Sequence, residues 1–384
     1  MNITADWLAF AGSKAVTAML SEAGHQVFFV GGCVRNAIIG QPVSDLDLCT
    51  DALPDVVMKL AEKAGLRAIP TGIDHGTVTV IADDRPYEIT TFRMDVETDG
   101  RRATVAYSTS IEDDAVRRDF TMNALYAAVD GTVIDPVGGV PDLLAGRVRF
   151  INDANARIRE DYLRILRFFR FTAWYGNPTE GIDAEGLAAC VANLDGLDDL
   201  ARERVGAEIL KLLSADDPAP VMASMAQSGV LLRLLPGADT GALAPLVHLE
   251  GQLGRVPHLH TRLAALGAQG VKDRLRLSGK DLAEYECIRD GALSGTAPSE
   301  LGFRFGHDLA LEMIMLRAAF FGQEVDPADV GAADHGAQQT FPIAAKDLMP
   351  EYTGAALGAR LKALEAAWIA SGFSLTKADL LALQ

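Results

Sequence analysis

Val27-Phe28-Phe29-Val30-Gly31-Gly32-Cys33-Val34-Arg35, followed 13 residues beyond the second glycine by Asp45-Leu46-Asp47-Leu48, decides how the amino-terminal part of this chain is read. The first four residues are apolar without interruption, as in a buried strand, and Gly31-Gly32 then break the run. Paired glycines let a backbone approach a phosphate, and a helix beginning near Val34-Arg35 would present free N–H groups to it. A tight strand–helix turn would use the same residues for structure alone. In Asp45-Leu46-Asp47-Leu48, polar and apolar residues alternate as in a half-buried strand, so both carboxylates point to one face. Carboxylates that close repel and favour a divalent cation, and an all-oxygen donor set suits Mg²⁺. An acidic turn after Val43-Ser44 is the plainer alternative. The spacing leaves room for one short helix, which would set a phosphate cradle beside a metal site, as phosphoryl transfer requires.

Outward from this stretch, Thr4 is placed to cap a helix running through residue 23, with Gly24 as its stop. Residues 76–81 and 86–92 are expected as strands joined by Ala82-Asp83-Asp84-Arg85. Glu88 is then a third carboxylate for the metal site, or an ordinary surface strand residue. Residues 93–103, centred on Asp99-Gly100, are expected as a polar loop. A helix is expected over residues 113–128 and a short strand over 132–134. Arg117, Arg118 and Asp119, on a helix continuing through Asn123, suit a triphosphate and a ribose, or a salt-bridged helix surface.

Beyond residue 140 the pattern is helical. Asn152 or Asp153 is placed to cap a helix reaching Tyr175, stopped by Gly176 and Pro178. On it Arg157, Glu160, Asp161, Arg164 and Arg167 mark a charged side, while Ile158, Tyr162, Ile165 and Phe169 mark a buried one. Asp161 and Arg164, at i and i+3, would face the same way. A carboxylate accepts from an exocyclic amine and a guanidinium donates to ring nitrogen and carbonyl acceptors. Cytosine and adenine both offer an amine beside an acceptor, whereas guanine and uracil place a carbonyl there. The pair would select C and A; as a plain alternative it belongs to an intrahelical ion-pair ladder. Later helices are expected to break at Asp216-Asp217-Pro218, Pro236-Gly237, Gly251, Gly270, Ser294-Gly295 and Asp326-Pro327. The fold class is therefore α+β: a mixed head followed by an all-α remainder.

Apolar residues make up 49% of the 384 and charged ones 23%, which excludes a disordered or collagen-like chain. The net charge is −17, which taken whole argues against a polyanionic partner. Its distribution argues otherwise. Residues 141–176 carry +3 and residues 255–280 carry +5, in an acidic background. The second island holds Arg255, Arg262, Lys272, Arg274, Arg276 and Lys280, candidates for RNA phosphate contacts or a solvated helix face. No segment approaches the roughly 18 apolar residues of a membrane helix, and the start lacks a signal-peptide layout. Cys33, Cys49, Cys190 and Cys287 show no CxxC spacing and read as reduced, mostly buried thiols of a cytoplasmic protein.

Taken together, the motifs resemble those of the bacterial class II tRNA nucleotidyltransferases, the CCA-adding enzymes, and their relatives the bacterial poly(A) polymerases. The resemblance runs in order from about residue 26 to 176. It comprises the Phe29–Arg35 run, Asp45-Leu46-Asp47, His75-Gly76-Thr77-Val78-Thr79-Val80, Glu88-Ile89-Thr90-Thr91-Phe92-Arg93, Arg117-Arg118-Asp119 through Ala124, Asp135-Pro136 through Asp142-Leu143, and Glu160-Asp161-x-x-Arg164 with Arg167. It implies a polymerase-β-like nucleotidyltransferase head over 1–140, a helical neck over 141–205 and a helical body and tail over 206–384 gripping tRNA. It further implies Mg²⁺ on Asp45 and Asp47, and ribose and phosphates beside Arg117, Arg118 and Asp119. Glu160, Asp161 and Arg164 would be the protein template for CTP and ATP. Where the family usually carries Asp after the Gly-Gly run, this chain has Asn36, which cannot neutralise Arg35.

Within the family, His75-Gly76-Thr77-Val78 leading into the Glu88 strand resembles the CCA-adding group. The basic insertion of poly(A) polymerases is absent there, and the 93–110 segment, lost in CC-adding relatives, is full length. Full CCA addition is thus expected, with CC- or A-only addition and poly(A) synthesis as competing subtypes. A non-catalytic RNA-binding protein is the reading from another class, opposed by the intact aspartates and template pair. Some members carry a phosphohydrolase domain with a His…His-Asp…Asp layout. Here His307-Asp308 is a lone dyad some 50 residues after His258-x-His260, and no second metal site is expected.

Overall fold

The apolar run Val27–Val30 forms strand β1. Around it the structure, a computed structural model, describes residues 1–73, 76–98 and 103–383, with side chains at all of these except 95–98 and 103–105. His75 and Asp99-Gly100 lie outside the described residues. The remaining strands are β2 (Leu46–Thr50), β3 (Arg67–Gly72), β4 (Thr77–Ala82), β5 (Arg85–Thr91), β6 (Arg93–Thr98), β7 (Ala103–Tyr107), β8 (Tyr126–Ala127) and β9 (Val133–Ile134). Among the described residues seven of them make one sheet in the order β3-β4-β5-β2-β1-β8-β9, and β6 and β7 make a separate two-stranded sheet. β2 and β5 run parallel; the other pairs in the large sheet are antiparallel. β3 carries Pro70 and lies at the sheet edge, where its missing N–H costs no ladder bond.

The helices flanking these strands are α1 (Asp6–Ala9), α2 (Ala11–Ser21), α3 (Gly32–Ile38), α4 (Pro54–Lys63), α5 (Ile111–Val116), α6 (Gly139–Leu144), α7 (Ala154–Glu160), α8 (Leu163–Tyr175), α9 (Ala184–Ala192) and α10 (Arg202–Leu213). They are followed by α11 (Ala219–Gln227), α12 (Val230–Leu234), α13 (Leu243–Gln252), α14 (Leu259–Ala265), α15 (Val271–Leu275), α16 (Gly279–Leu293), α17 (Pro298–Phe321), α18 (Pro327–Ala337), α19 (Gly354–Ala370) and α20 (Lys377–Ala382). The chain divides into two compact units, Met1–Leu212 with Gln227–Val230, and Leu213–Ala226 with Leu231–Gln384. No helix among the described residues is long and apolar enough to cross a membrane. All four cysteines are free, and Cys33, Cys49 and Cys190 are buried.

Several local expectations are corrected. The first helix is two, broken at Phe10, whose ring lies under the Arg85 guanidinium while Trp7 packs edge-on against Phe29. Residues 93–98 and 103–107 are paired strands, not loop; Met94 and Val96 alternate with Arg93, Asp95 and Glu97, a period that fits a ladder. The helix expected over 113–128 stops at Val116. Phe120, Met122, Ala124, Leu125, Tyr126 and Ala127 are all fully buried, and a run buried on every side carries no helical period to hold it helical. Phe120 instead bridges to Phe150 and packs on Phe150, Phe168 and Phe171.

The long helix after Asp153 is also two. Asp153 caps α7 through Ala156 N–H, but Asp161 is extended (φ −154°, ψ 105°) and its carboxylate accepts from Leu163 N–H at the start of α8. An aspartate that bonds the backbone ahead of it competes with the helix, which is why Asp161 marks a break.

Candidate active site

β2 and β5 set the acidic side of the site. In their parallel register Asp47 is the direct partner of Glu88, so the two side chains emerge on the same face. Asp45 stands just ahead of β2, exposed, with the Ser44 hydroxyl donating to it at 3.0 Å. Burial and the neighbouring charges of Glu88 and Asp45 push the Asp47 carboxyl up to about 6, against the opposing pull of Arg118. Crowded carboxylates that hold one of their members partly protonated are a donor set a divalent cation would relieve, so these residues fit such an ion.

The basic side is built on a buried acid. Ser110 caps α5 through Glu112 and Asp113 N–H groups. One turn later Asp114, fully buried, accepts two bonds from Arg117 (2.9 and 2.7 Å) and two from Arg118 (3.1 and 2.8 Å). Tyr126 OH donates to the same carboxylate at 2.9 Å. The two guanidinium groups hold the Asp114 carboxyl well below the usual carboxylate range despite its burial. Both arginines are thereby fixed where they line a cleft of about 450 Å³. Asp47, Glu88, Asp119, Asp161, Arg164, Arg167 and Arg204 line the same cleft.

Three further networks position these groups. Asp119 is buried and accepts from Arg167 at 2.6 Å, Asn123 at 2.9 Å and Phe120 N–H at 2.8 Å. Arg35 is buried as well. It donates to Asn123 (2.6 Å), Asn36 (3.0 Å) and Tyr175 (2.7 Å), with its guanidinium 4.1 Å from the Tyr175 ring centre. Asn36, which carries no charge, thus joins the Arg35 cage by accepting a hydrogen bond. Arg164 donates to Glu160 (2.5 Å) and to the carbonyls of Arg157 (2.8 Å) and Arg117 (3.0 Å), while Asp161 accepts from Arg204 at 2.6 Å.

Family models match two segments. "Poly A polymerase head domain" spans residues 27–149, and "Probable RNA and SrmB- binding site of polymerase A" spans residues 181–241. The mitochondrial CCA tRNA nucleotidyltransferase 1 of Mus musculus is 39% identical over 206 residues, 53% of this chain and 48% of that protein. The chain therefore spans about half the length of that relative. The CCA-adding enzyme of Geobacillus thermodenitrificans is 38% identical over 331 residues, covering 83% of this chain and 80% of the relative. The chain belongs to the CCA-adding enzyme family. The crystal structure of the Bacillus stearothermophilus CCA-adding enzyme in complex with CTP superposes with a TM-score of 0.77 at 27% identity, covering 94% of this chain and 93% of that one. The mixed sheet is thus a polymerase-β-like nucleotidyltransferase head, and the remainder is helical.

In this CCA-adding family member the head and neck residues singled out from sequence fall into three groups, with Asp45 apart from them, exposed ahead of β2 and not among the residues lining the cleft. Asp47, Glu88, Arg117, Arg118, Asp119, Asp161, Arg164 and Arg167 converge on the cleft. Arg35, Asn123 and Glu160 stand behind it, holding other residues. Gly31 and Gly32 form the β1–α3 junction, where Gly31 has φ +71° and its N–H donates to Leu125 O rather than outward. Asp114 and Arg204 carry no sequence-based expectation. An acid three and four residues ahead of paired arginines is a signal for the first; nothing local signals the second.

The basic island divides. Arg262 is buried to 1% exposure, paired with Glu250 at 2.7 Å and donating to the carbonyls of Leu213, Ala215 and Asp216. This corrects its placement among RNA contacts: a guanidinium so enclosed is a packing element, with no face left for a phosphate. Arg255 is half-buried against Asp308 (3.0 Å) and Glu312 (3.5 Å). Lys272, Arg276 and Lys280 are exposed and Arg274 half-buried, on and beside α15.

Proposed function

We propose that this protein adds C, C and A in turn to the 3′ end of tRNA, taking CTP and ATP and releasing pyrophosphate without a nucleic-acid template. The observation that carries the reading is one cleft lined by the Asp47–Glu88 register pair and by the base-reading side chains Asp161 and Arg164. Arg117 and Arg118, fixed by Asp114, are charged donors for the triphosphate. Asp161 accepts from the amine common to cytosine and adenine, and Arg164 donates to the adjacent acceptors. The tRNA 3′-hydroxyl then attacks the α-phosphate in line. Mg²⁺ held by Asp45 and Asp47 would lower the hydroxyl pKa and neutralise the leaving group. Lys272, Arg274, Arg276 and Lys280 supply phosphate contacts to tRNA, and the protein works in the cytoplasm.

Incorporation on tRNA ending at the discriminator base, at C and at CC, with each nucleoside triphosphate offered singly, tests the reading. CTP alone should extend the first two and ATP alone the third. Asp45→Ala with Asp47→Ala should abolish all incorporation while the circular dichroism spectrum is kept. Poly(A) synthesis is the second reading, favoured by the description of the matched head model. It predicts ATP use on every end.

A further inference from the structure

In the carboxy-terminal unit, His258, His260 and Glu284 bring three ligand-type atoms within 4.8 Å of one another. His258 is the residue before α14, His260 lies in its first turn, and Glu284 comes from α16, so two segments meet at one point. His258 Nε2 is 3.1 Å from one Glu284 oxygen and His260 Nδ1 is 3.5 Å from the other.

Each imidazole is oriented from behind. Thr261 donates its hydroxyl hydrogen to Glu312 at 2.8 Å. A hydroxyl has one hydrogen, so Thr261 Oγ1 can only accept from His258 Nδ1, 3.1 Å away. In the neutral imidazole that places the His258 proton on Nδ1 and leaves the Nε2 lone pair on the side of Glu284. On His260, Nε2 lies 3.4 Å from the Asp281 carboxylate, which favours the proton of the neutral ring on that side, away from Glu284. With both rings neutral, two lone pairs then face a carboxylate, and a cation between them completes the arrangement. Oxygen partners behind metal-binding imidazoles fix tautomer and ring direction in this way. The two imidazole-to-carboxylate separations, 3.1 and 3.5 Å, are near the edge of about 3.3 Å that ligands at roughly 2.0 Å make around a tetrahedral ion, and all three ligand atoms lie within 4.8 Å of one another.

We propose that His258 Nε2, His260 Nδ1 and Glu284 bind one divalent transition-metal ion of the zinc class, with Asp281 and the Thr261–Glu312 pair as orienting partners. Two imidazoles and one carboxylate select Zn²⁺ over Mg²⁺. Side chains 29%, 12% and 29% exposed leave the site reachable from solvent. The ion would tie the start of α14 to α16, a structural link distinct from the chemistry of the head.

Zinc titration of the full chain, with Mg²⁺ in excess to occupy the head carboxylates, tests this. One equivalent should bind and raise the melting temperature by several degrees. His260→Ala and His258→Ala should each lose at least about tenfold in zinc affinity, and Asp281→Asn about tenfold with the metal-free melting temperature held. Because an alanine variant that fails to fold would mislead, His258→Gln and Glu284→Gln, checked by circular dichroism, carry the same expectation. Absence of zinc binding would overturn the proposal. So would binding unaffected by all five variants, or a cluster whose stability responds to acid alone, the mark of imidazolium–carboxylate pairs.

Discussion

Asp161 and Arg204 are joined at 2.6 Å, so a carboxylate lining the cleft is held by an arginine 43 residues further along the chain rather than by Arg164. Arg164 is itself engaged by Glu160 and two backbone carbonyls. Both members of the proposed template pair are thus aimed by protein partners that, on that proposal, an incoming base must share or replace. The Asp161–Arg204 pair is substantially exposed (34% and 50%), so it contributes well under 1 kcal/mol of stability and yields readily. Arg204→Ala should leave the melting temperature within a degree or so, preserve the preference for CTP and ATP, and shift KM. Asp161→Ala should instead relax discrimination against GTP and UTP by about 1–3 kcal/mol, roughly five- to 150-fold. Steady-state incorporation with each nucleotide checks both.

Asp114 anchors two arginines in the protein interior, and removing one partner of such a pair leaves buried charge uncompensated. Asp114→Asn should cost about 3–5 kcal/mol by denaturant unfolding. Its carboxyl is depressed in the folded state, so its stabilisation is complete above the ordinary carboxylate value of 3.8. That stabilisation is lost as pH falls below this value toward the folded one. The variant should therefore be most deficient near neutrality and converge with the wild type in strong acid.

Asp47 behaves in the opposite sense. Its carboxyl is raised from 3.8 to about 6, so deprotonation is disfavoured in the folded chain. Stability without divalent cations should fall as pH rises across that interval and stay lower above it. In chelator above pH 6, Asp47→Asn should melt higher than the wild type, by about 1–2 kcal/mol after allowance for solvent screening. Added Mg²⁺ should raise the wild type and leave the variant unmoved. Thermal melts across pH, with and without Mg²⁺, decide this.

Arg262 and the basic residues on and beside α15 separate packing from the proposed RNA contact. Neutralising Lys272, Arg274, Arg276 and Lys280 together should weaken tRNA binding and flatten its dependence on log salt by about 3–4. Arg262→Ala should instead destabilise the fold by about 3–5 kcal/mol, since Glu250 would be left buried and alone. Filter binding at several salt concentrations and chemical denaturation give the two readouts.

Much of the site was legible because strands keep register with sequence. Asp47 lies on β2 as the alternation predicts, and β2 beside β5 sets it against Glu88, whereas Asp45 falls just ahead of the strand. Asp161 lines the cleft but was given the wrong backbone, because a charged face at i, i+3 is also produced by two helices broken at an aspartate. Arg35 and Arg262 show the limit of counting charge: both are basic residues in motifs or segments suited to phosphate, and both are buried with partners distant in sequence. The net charge of −17 says nothing of either. Arg204 reaches Asp161 only through the packing of α10, and no local pattern carries that information.

The most direct test of the central claim is the product formed on tRNA lacking its last three nucleotides when CTP, ATP and Mg²⁺ are present together in a long incubation. The account predicts growth by three nucleotides, C then C then A, and then arrest. Tails of many adenosines, or no growth despite tight tRNA binding, would contradict it.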